Sequence, residues 1–439
     1  MERTKKDLRY YNGIFEVCFI SFIYLISAIM YYFYNFISGI LLISTAVFIF
    51  IVNYKKNKTI VDIYSLYLTS WLGTLGLAML RLLRYQQQWK VEFFLVTYIG
   101  LMSMIIGIFI GKSFRLKNKI VNNNFKFNYY AVICGTGIAI LMFILSYLRT
   151  GIIPILSDNL NAYHEHYTRF YVIQVGMMPL GGIACYVLRS FNLKRHQKLI
   201  MYLAMFIHLF VFPIIYVARG TFVTCIFYVL PILYYYTKNK KRFLRIGVVV
   251  FLILLLVITS SRNYSNEQVE FFFQPKEVSI LNFNFKLSNN LAMVYSYLTI
   301  SHDNFNYNID RIDSFSYGGR MLEPFEVILR TDFFNKLRLD NKLENISFGL
   351  NTHNMMGIIY YDFGILGIIA VLFIYGFIFG IIEKTFRYSI NPYISLIYGG
   401  VLIVVSLGFF TAWTTQFTLW MWWGLSCILW KISPKQRNV

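Results

Sequence analysis

Acidic residues are scarce. The chain has 20 Asp and Glu against 41 Lys and Arg in 439 residues, and only 14% of its positions are charged. The stretch richest in candidate residues, Gly318 to Gly367, offers arginines and one histidine but few paired carboxylates, and so does not fit glycoside hydrolysis, which ordinarily works with a pair of them. So little charge, beside 57% hydrophobic and 19% aromatic residues, excludes a string of soluble domains. Cysteine is sparse too: Cys18, Cys134, Cys185, Cys225 and Cys427 all fall inside apolar runs, without framework or ligand spacing. Neither a disulfide scaffold nor a zinc site is expected. No internal repeat or low-complexity tract is present, and no pair of interrupted helices recurs in two halves as in many secondary transporters. The net charge of +21 has no gathered face, whereas nucleic-acid binding requires Lys and Arg clustered on one exposed surface. The apolar run after MERTKKDLR has no small-residue cleavage site and is expected to stay as a helix.

What the chain has is hydrophobic length. A span needs about 20 mostly apolar residues, and that rule predicts an all-α polytopic membrane protein with twelve transmembrane helices. They fall at 14–33, 36–53, 59–80, 93–111, 129–148, 171–188, 199–217, 221–237, 246–260, 354–382, 393–410 and 416–431. The expected division is 1–260 for helices one to nine, 261–353 for one long extracytoplasmic loop, and 354–439 for helices ten to twelve. Basic clusters such as Lys55, Lys56 and Lys58, or Lys238, Lys240, Lys241 and Arg242, occupy the short alternate connections, while carboxylates outnumber cations in the long loop. The positive-inside rule then puts both termini in the cytoplasm. Within the loop, SNNLAMVYSYL from Ser288 and MLEPFEVIL from Met321 read as interfacial amphipathic helices roofing a cavity.

The chemistry-bearing stretch runs from Gly318 to Gly367. It opens with Arg320 in a GGR turn, passes Arg330, and delivers His353 and Asn354 to the start of an apolar run. A helix N-terminus carries free amide donors and partial positive charge, so these residues suit an anion at the bilayer boundary. Arginine grips phosphate through paired donors, and histidine has the pKa range of a general base. Other cations on the same expected face are Arg219 in YVARGTF, Arg262 in ITSSRNYSN, and Arg149 and Arg169 flanking a second loop. Ionisable groups at membrane depth are usually functional, against which stands the snorkelling arginine at a helix end. His164, Glu165 and His166 lack the helical spacing of common zinc sites. Asp362, inside the tenth span, is expected to pair with a buried polar group, and its DFG string has no kinase meaning without a nucleotide fold.

Several of these features together resemble the oligosaccharide repeat-unit polymerases of the O-antigen polymerase family, with wider kinship to the O-antigen ligases. The likeness rests on the many-span layout, the late long loop, Ala218-Arg219-Gly220, and GIIPIL from Gly151. Its most specific part is Gly319-Arg320 followed by Thr352-His353-Asn354 and YDFGILG from Tyr361. Glu323-Pro324-Phe325 stands where the ligase pattern would carry a tryptophan. The resemblance implies a membrane glycosyltransferase of the bacterial cytoplasmic membrane, working without metal, cofactor or nucleotide sugar. Donor and acceptor would be glycans on undecaprenyl diphosphate, with a flippase and a chain-length regulator as protein partners and no nucleic acid. Arg219 and His353 match the family's catalytic positions, with Arg320 beside them; Arg262, Arg330, Arg169, Arg149 and Asn354 are expected to bind substrate. A diphosphate is already a good leaving group that needs charge stabilisation more than a proton, which suits arginines with one base. The alternatives are a transporter or flippase of lipid-linked oligosaccharide, a ligase differing only in acceptor, and a structural membrane protein in which the arginines are dispensable.

Overall fold

The computed structural model describes residues 2–114, 124–153, 169–215, 219–235, 237, 239, 240, 242, 266–280, 283–312, 314–329, 333, 336–337, 343–347, 350–389 and 391–434. These form helices over the apolar runs. In chain order they are α1 (Glu2–Asn57), α2 (Ile63–Met79), α3 (Val91–Ser113), α4 (Phe125–Thr150), α5 (Arg169–Gly176), α6 (Leu180–Ser190) and α7 (Arg195–Phe206). A π-helical turn (Ile207–Val211) leads to α8 (Phe212–Ile215) and α9 (Arg219–Tyr235). Then come α10 (Asn266–Phe272), strands β1 (Glu277–Ile280) and β2 (Phe283–Lys286), α11 (Asn289–Asn308), α12 (Glu323–Leu329), α13 (Met355–Tyr388), α14 (Pro392–Leu407) and α15 (Phe417–Ile432).

Among the described residues, six helical stretches are long and apolar enough to cross a membrane: Phe15–Asn57, Val91–Ser113, Phe125–Thr150, Arg169–Ser190, Arg195–Ile215 and Met355–Tyr388. The first is a hairpin. Tyr34 leaves helical geometry (φ −141°, ψ 64°), and the Ser38 hydroxyl donates to the Ser27 carbonyl at 2.6 Å. Eleven residues along a straight helix would separate them by about 16 Å. The Lys56–Glu16 ion pair at 3.1 Å closes the far end, so the two arms run antiparallel where two spans are expected. Val223–Tyr235 and Pro392–Leu407 are shorter apolar helices, and the expected span at 246–260 lies outside the described residues.

The chain forms two compact units. One comprises Met1–Phe109, Thr259–Phe377 and Val405–Thr415. Its α2 is capped by Asp62, whose carboxylate accepts from the Ser65 amide at 2.9 Å, and its apolar side chains are buried almost all round, as in a helix enclosed by others. α3 and α13 approach through glycines: a Cβ on Gly107 would stand 2.3 Å from the Phe373 carbonyl, and one on Gly376 2.3 Å from the Met104 carbonyl. Small residues at such crossings let backbones pack closely where apolar burial offers no drive. Gly376→Leu is expected to cost about 3 kcal/mol by overpacking, read as a fall in Tm of the purified protein. Gly137→Ala is the control, because a Cβ there meets nothing within 4 Å.

α11 differs from its expected place as a surface-lying helix. Its first half packs Ala292 and Met293 into a cluster with Leu82, Leu83, Phe273 and Leu350. Its second half buries Ser301, His302, Asp303, Asn304, Asn306 and Asn308 almost completely. Buried polar groups demand partners, and these find them in distant segments. Asp303 accepts from Gln86 Nε2 and Trp89 Nε1, both at 2.9 Å. Asn306 Oδ1 accepts from the Lys90 amide at 2.8 Å, and Asn308 exchanges bonds with the Glu344 backbone. Burial raises the Asp303 carboxyl to about 7, opposed by the Trp89 and Gln86 bonds and by nearby Arg81. The hairpin β1–β2 is antiparallel, pairing Glu277 with Lys286 and Ile280 with Phe283.

The other unit comprises Ile110–Ile258, Ile378–Val404 and Gln416–Val439. Asn124 caps α4 by accepting from the Phe127 amide at 3.0 Å, and Gly151, at φ 66°, ends it. Trp422 Nε1 donates to the Val175 carbonyl at 2.8 Å, and Tyr228 meets Ser426 at 3.1 Å. Glu383, fully buried, is compensated by Lys112 at 2.8 Å and by Arg387 Nε at 2.9 Å.

Candidate functional site

The first unit holds Arg320, His353 and Asn354 on two segments clamped to the start of α13. One segment is a strap. Ser316 donates its amide to the Tyr361 carbonyl at 3.1 Å, and Tyr317 donates to the Asp362 carbonyl at 2.9 Å. The Asp362 carboxylate accepts from Ser316 Oγ at 2.5 Å, the Arg320 amide at 3.1 Å and the Met321 amide at 2.8 Å. An aspartate wholly buried in an apolar helix is tolerable only with such compensation. It is the buried pairing expected of Asp362, and its partners come from one short stretch. Gly318 turns the strap at φ 93°. α13 itself breaks at Gly364 (φ 64°, ψ −156°), where a Cβ would stand 2.7 Å from the Phe315 ring.

The second segment leads into α13. Asn304, on α11, donates to the Leu350 and Thr352 carbonyls at 2.8 and 2.9 Å and accepts from the Ile346 amide at 2.9 Å. The residue before His353 is therefore pinned to the buried polar helix. Asn354 caps α13: its Oδ1 accepts from the Gly357 amide at 2.7 Å and its Nδ2 donates to the Ser301 carbonyl at 3.2 Å. It is fully buried, and its amide serves the helix N-terminus. His302, beside it, meets Thr74 Oγ1 at 3.0 Å.

His353 is half-buried, with its ring edge-on to Tyr361 at 6.0 Å between centroids. Burial, and then the positive charge of Arg320, lower its pKa to about 4. Three polar atoms here are buried without a hydrogen-bond partner among the described residues: His353 Nδ1, Thr352 Oγ1 and the Tyr361 hydroxyl. Buried polar groups are rarely left so. The arrangement offers a cation, a neutral imidazole and two hydroxyls at the start of an apolar helix.

The remaining expected residues lie elsewhere. Arg149 is exposed in the last turn of α4 and Arg169 is exposed at the first position of α5, both in the second unit. Arg219 opens α9 in that unit, and its side chain lies outside the described residues, as do Arg262, Arg330, His164, Glu165 and His166. Asn304 was not singled out in the sequence, and Thr352 and Tyr361 entered only within the motifs that carry the resemblance. The density of Ser, His, Asp and Asn over 301–308 in an otherwise apolar chain is the signal that points to Asn304. Comparison with protein-family models, curated proteins and solved structures finds no match for the chain.

Proposed function

We propose that this protein polymerises undecaprenyl-diphosphate-linked oligosaccharide repeat units into a surface polysaccharide, by metal-independent glycosyl transfer on the outer face of the bacterial cytoplasmic membrane. In this reading twelve spans keep both termini cytoplasmic and expose residues 261–353 outside. The observation that carries it is the set of unsatisfied buried polar atoms of Thr352, His353 and Tyr361 beside Arg320, at the N-terminus of an apolar helix. The sequence resemblance supports the same residues.

An acceptor hydroxyl attacks C1 of the donor sugar, the bond from C1 to the diphosphate oxygen breaks, and its electron pair leaves with the diphosphate. The hydroxyl proton passes to the His353 imidazole. Arg320 offsets the leaving charge in a site of low dielectric; the resemblance adds Arg219 for that task and Arg262, Arg330, Arg149 and Arg169 for substrate binding. With its pKa near 4, His353 stays neutral at pH 7, the form that accepts a proton. Bound diphosphate offsets the Arg320 charge and raises the basicity of the ring when substrate is present.

The pH dependence follows. An ordinary histidine loses its base form below about pH 6.5, whereas this one keeps it down to about pH 4. The acid limb of kcat/KM, which reports free enzyme, is expected nearer pH 4 than 6.5, with the limb of kcat at higher pH. The linked stability runs the same way: it is fully present above pH 6.5 and is lost as pH falls toward 4, because the unfolded chain binds the proton more readily. Pulse-labelled cells carrying His353→Ala distinguish polymerisation from translocation. Polymerase loss leaves single repeats on the outer leaflet, whereas flippase loss would strand them on the inner one.

A further inference from the structure

We infer that Asp362 is a positioning residue that presents the Arg320 guanidinium to a phosphate-bearing ligand, acting through the strap of residues 316–321. The inference rests on reading this site as one for a lipid-linked diphosphate, and it adds a residue that touches neither donor nor acceptor. The geometry is specific. The two amides held by the carboxylate are those of Arg320 and Met321, on either side of the arginine Cα, so the backbone that aims the side chain is fixed at both ends by one group. Ser316 Oγ completes the carboxylate's shell, and Gly318 at φ 93° supplies the turn that lets six residues fold back on one side chain. A carboxylate that served only to satisfy the helix would not need both amides flanking one cation. Precise presentation matters because paired-donor recognition of phosphate is geometrically demanding, and a misplacement of about 1 Å costs about a hundredfold in rate.

The test is a double-mutant cycle on the full-length protein in nanodiscs, with inorganic pyrophosphate as the probe in metal-free buffer, read by calorimetric titration. Lipid-linked repeat units are then supplied to the same preparations. Asp362→Asn is expected to weaken pyrophosphate binding by about tenfold or more, the size of a lost charge-assisted bond. Ser316→Ala, which removes the hydroxyl's bonds to Asp362 and the Tyr361 carbonyl but leaves the strap's backbone bonds, should give a smaller loss in the same direction. Arg320→Ala should weaken binding at least as much as Asp362→Asn, and adding Asp362→Asn to it should change affinity by less than about twofold, since residues acting through one another are not additive. Asp362→Asn and Arg320→Ala should also show the same split between kcat and KM for the donor. Losses that multiply in the double variant would overturn the inference, as would a wild-type protein that binds no pyrophosphate. Wild-type protein that binds pyrophosphate with the expected cycle but does not extend repeat units would leave Asp362 in this role and remove the polymerase reading.

Discussion

His353→Ala is expected to slow repeat-unit transfer by about 10² to 10⁴-fold, the usual contribution of a positioned general base, while donor stays bound. The side chain makes no hydrogen bond that the fold depends on: its Nδ1 has no partner among the described residues, and Thr352, just before it, is held through its carbonyl by Asn304. The neighbouring cap by Asn354 is likewise independent of the imidazole. The loss should therefore fall on kcat, with KM for the donor little changed and Tm preserved, as single-turnover and melting measurements on one preparation would show. A variant with the wild-type rate would reduce the histidine to a helix-end residue.

Arg320→Lys should lower donor binding and turnover together. Lysine keeps the charge but loses the planar pair of donors that matches a phosphate; each charge-assisted bond forgone is worth about 1.5–3 kcal/mol, a factor of ten or more. Two features make this substitution informative. The bonds that hold residue 320 to Asp362 come from backbone amides, so they survive any change of side chain. The nearby charge is also kept, so the depression of the His353 pKa by Arg320 persists, and the base is perturbed little. Steady-state kinetics with purified donor would show whether charge alone suffices; unchanged constants would say that it does, against this account.

The helices were legible because hydrophobic length is a local signal, and α3, α4 and α14 lie within a few residues of the apolar runs that announce them. The hairpin in α1 was legible too, since residues 34–35 separate two full-length runs. Gly364 was not: a glycine inside YDFGILG looks like a helix residue until the Phe315 ring is seen packed too close to leave room for a Cβ. α11 was misplaced for a related reason. Its apolar spacing from Ser288 suits a surface helix, but the value of Asp303, Asn304 and Asn308 lies in bonds to residues 86–89 and 344–352, and composition carries no trace of pairings so remote in sequence. At the site, the junction of polar loop and apolar helix marked His353, and the apolar surroundings of Asp362 marked a buried pairing. That the pairing reaches back to Arg320, forty-two residues earlier, becomes visible only in three dimensions.

The most direct test is incubation of the purified protein in bilayer nanodiscs with undecaprenyl-diphosphate-linked repeat units, without nucleotide sugar and with a chelator present, followed by gel separation of the products. The account predicts a ladder of lengthening lipid-linked chains with release of undecaprenyl diphosphate, slowed by about 10² to 10⁴-fold in His353→Ala; repeats that stay single in the presence of folded wild-type protein would contradict it.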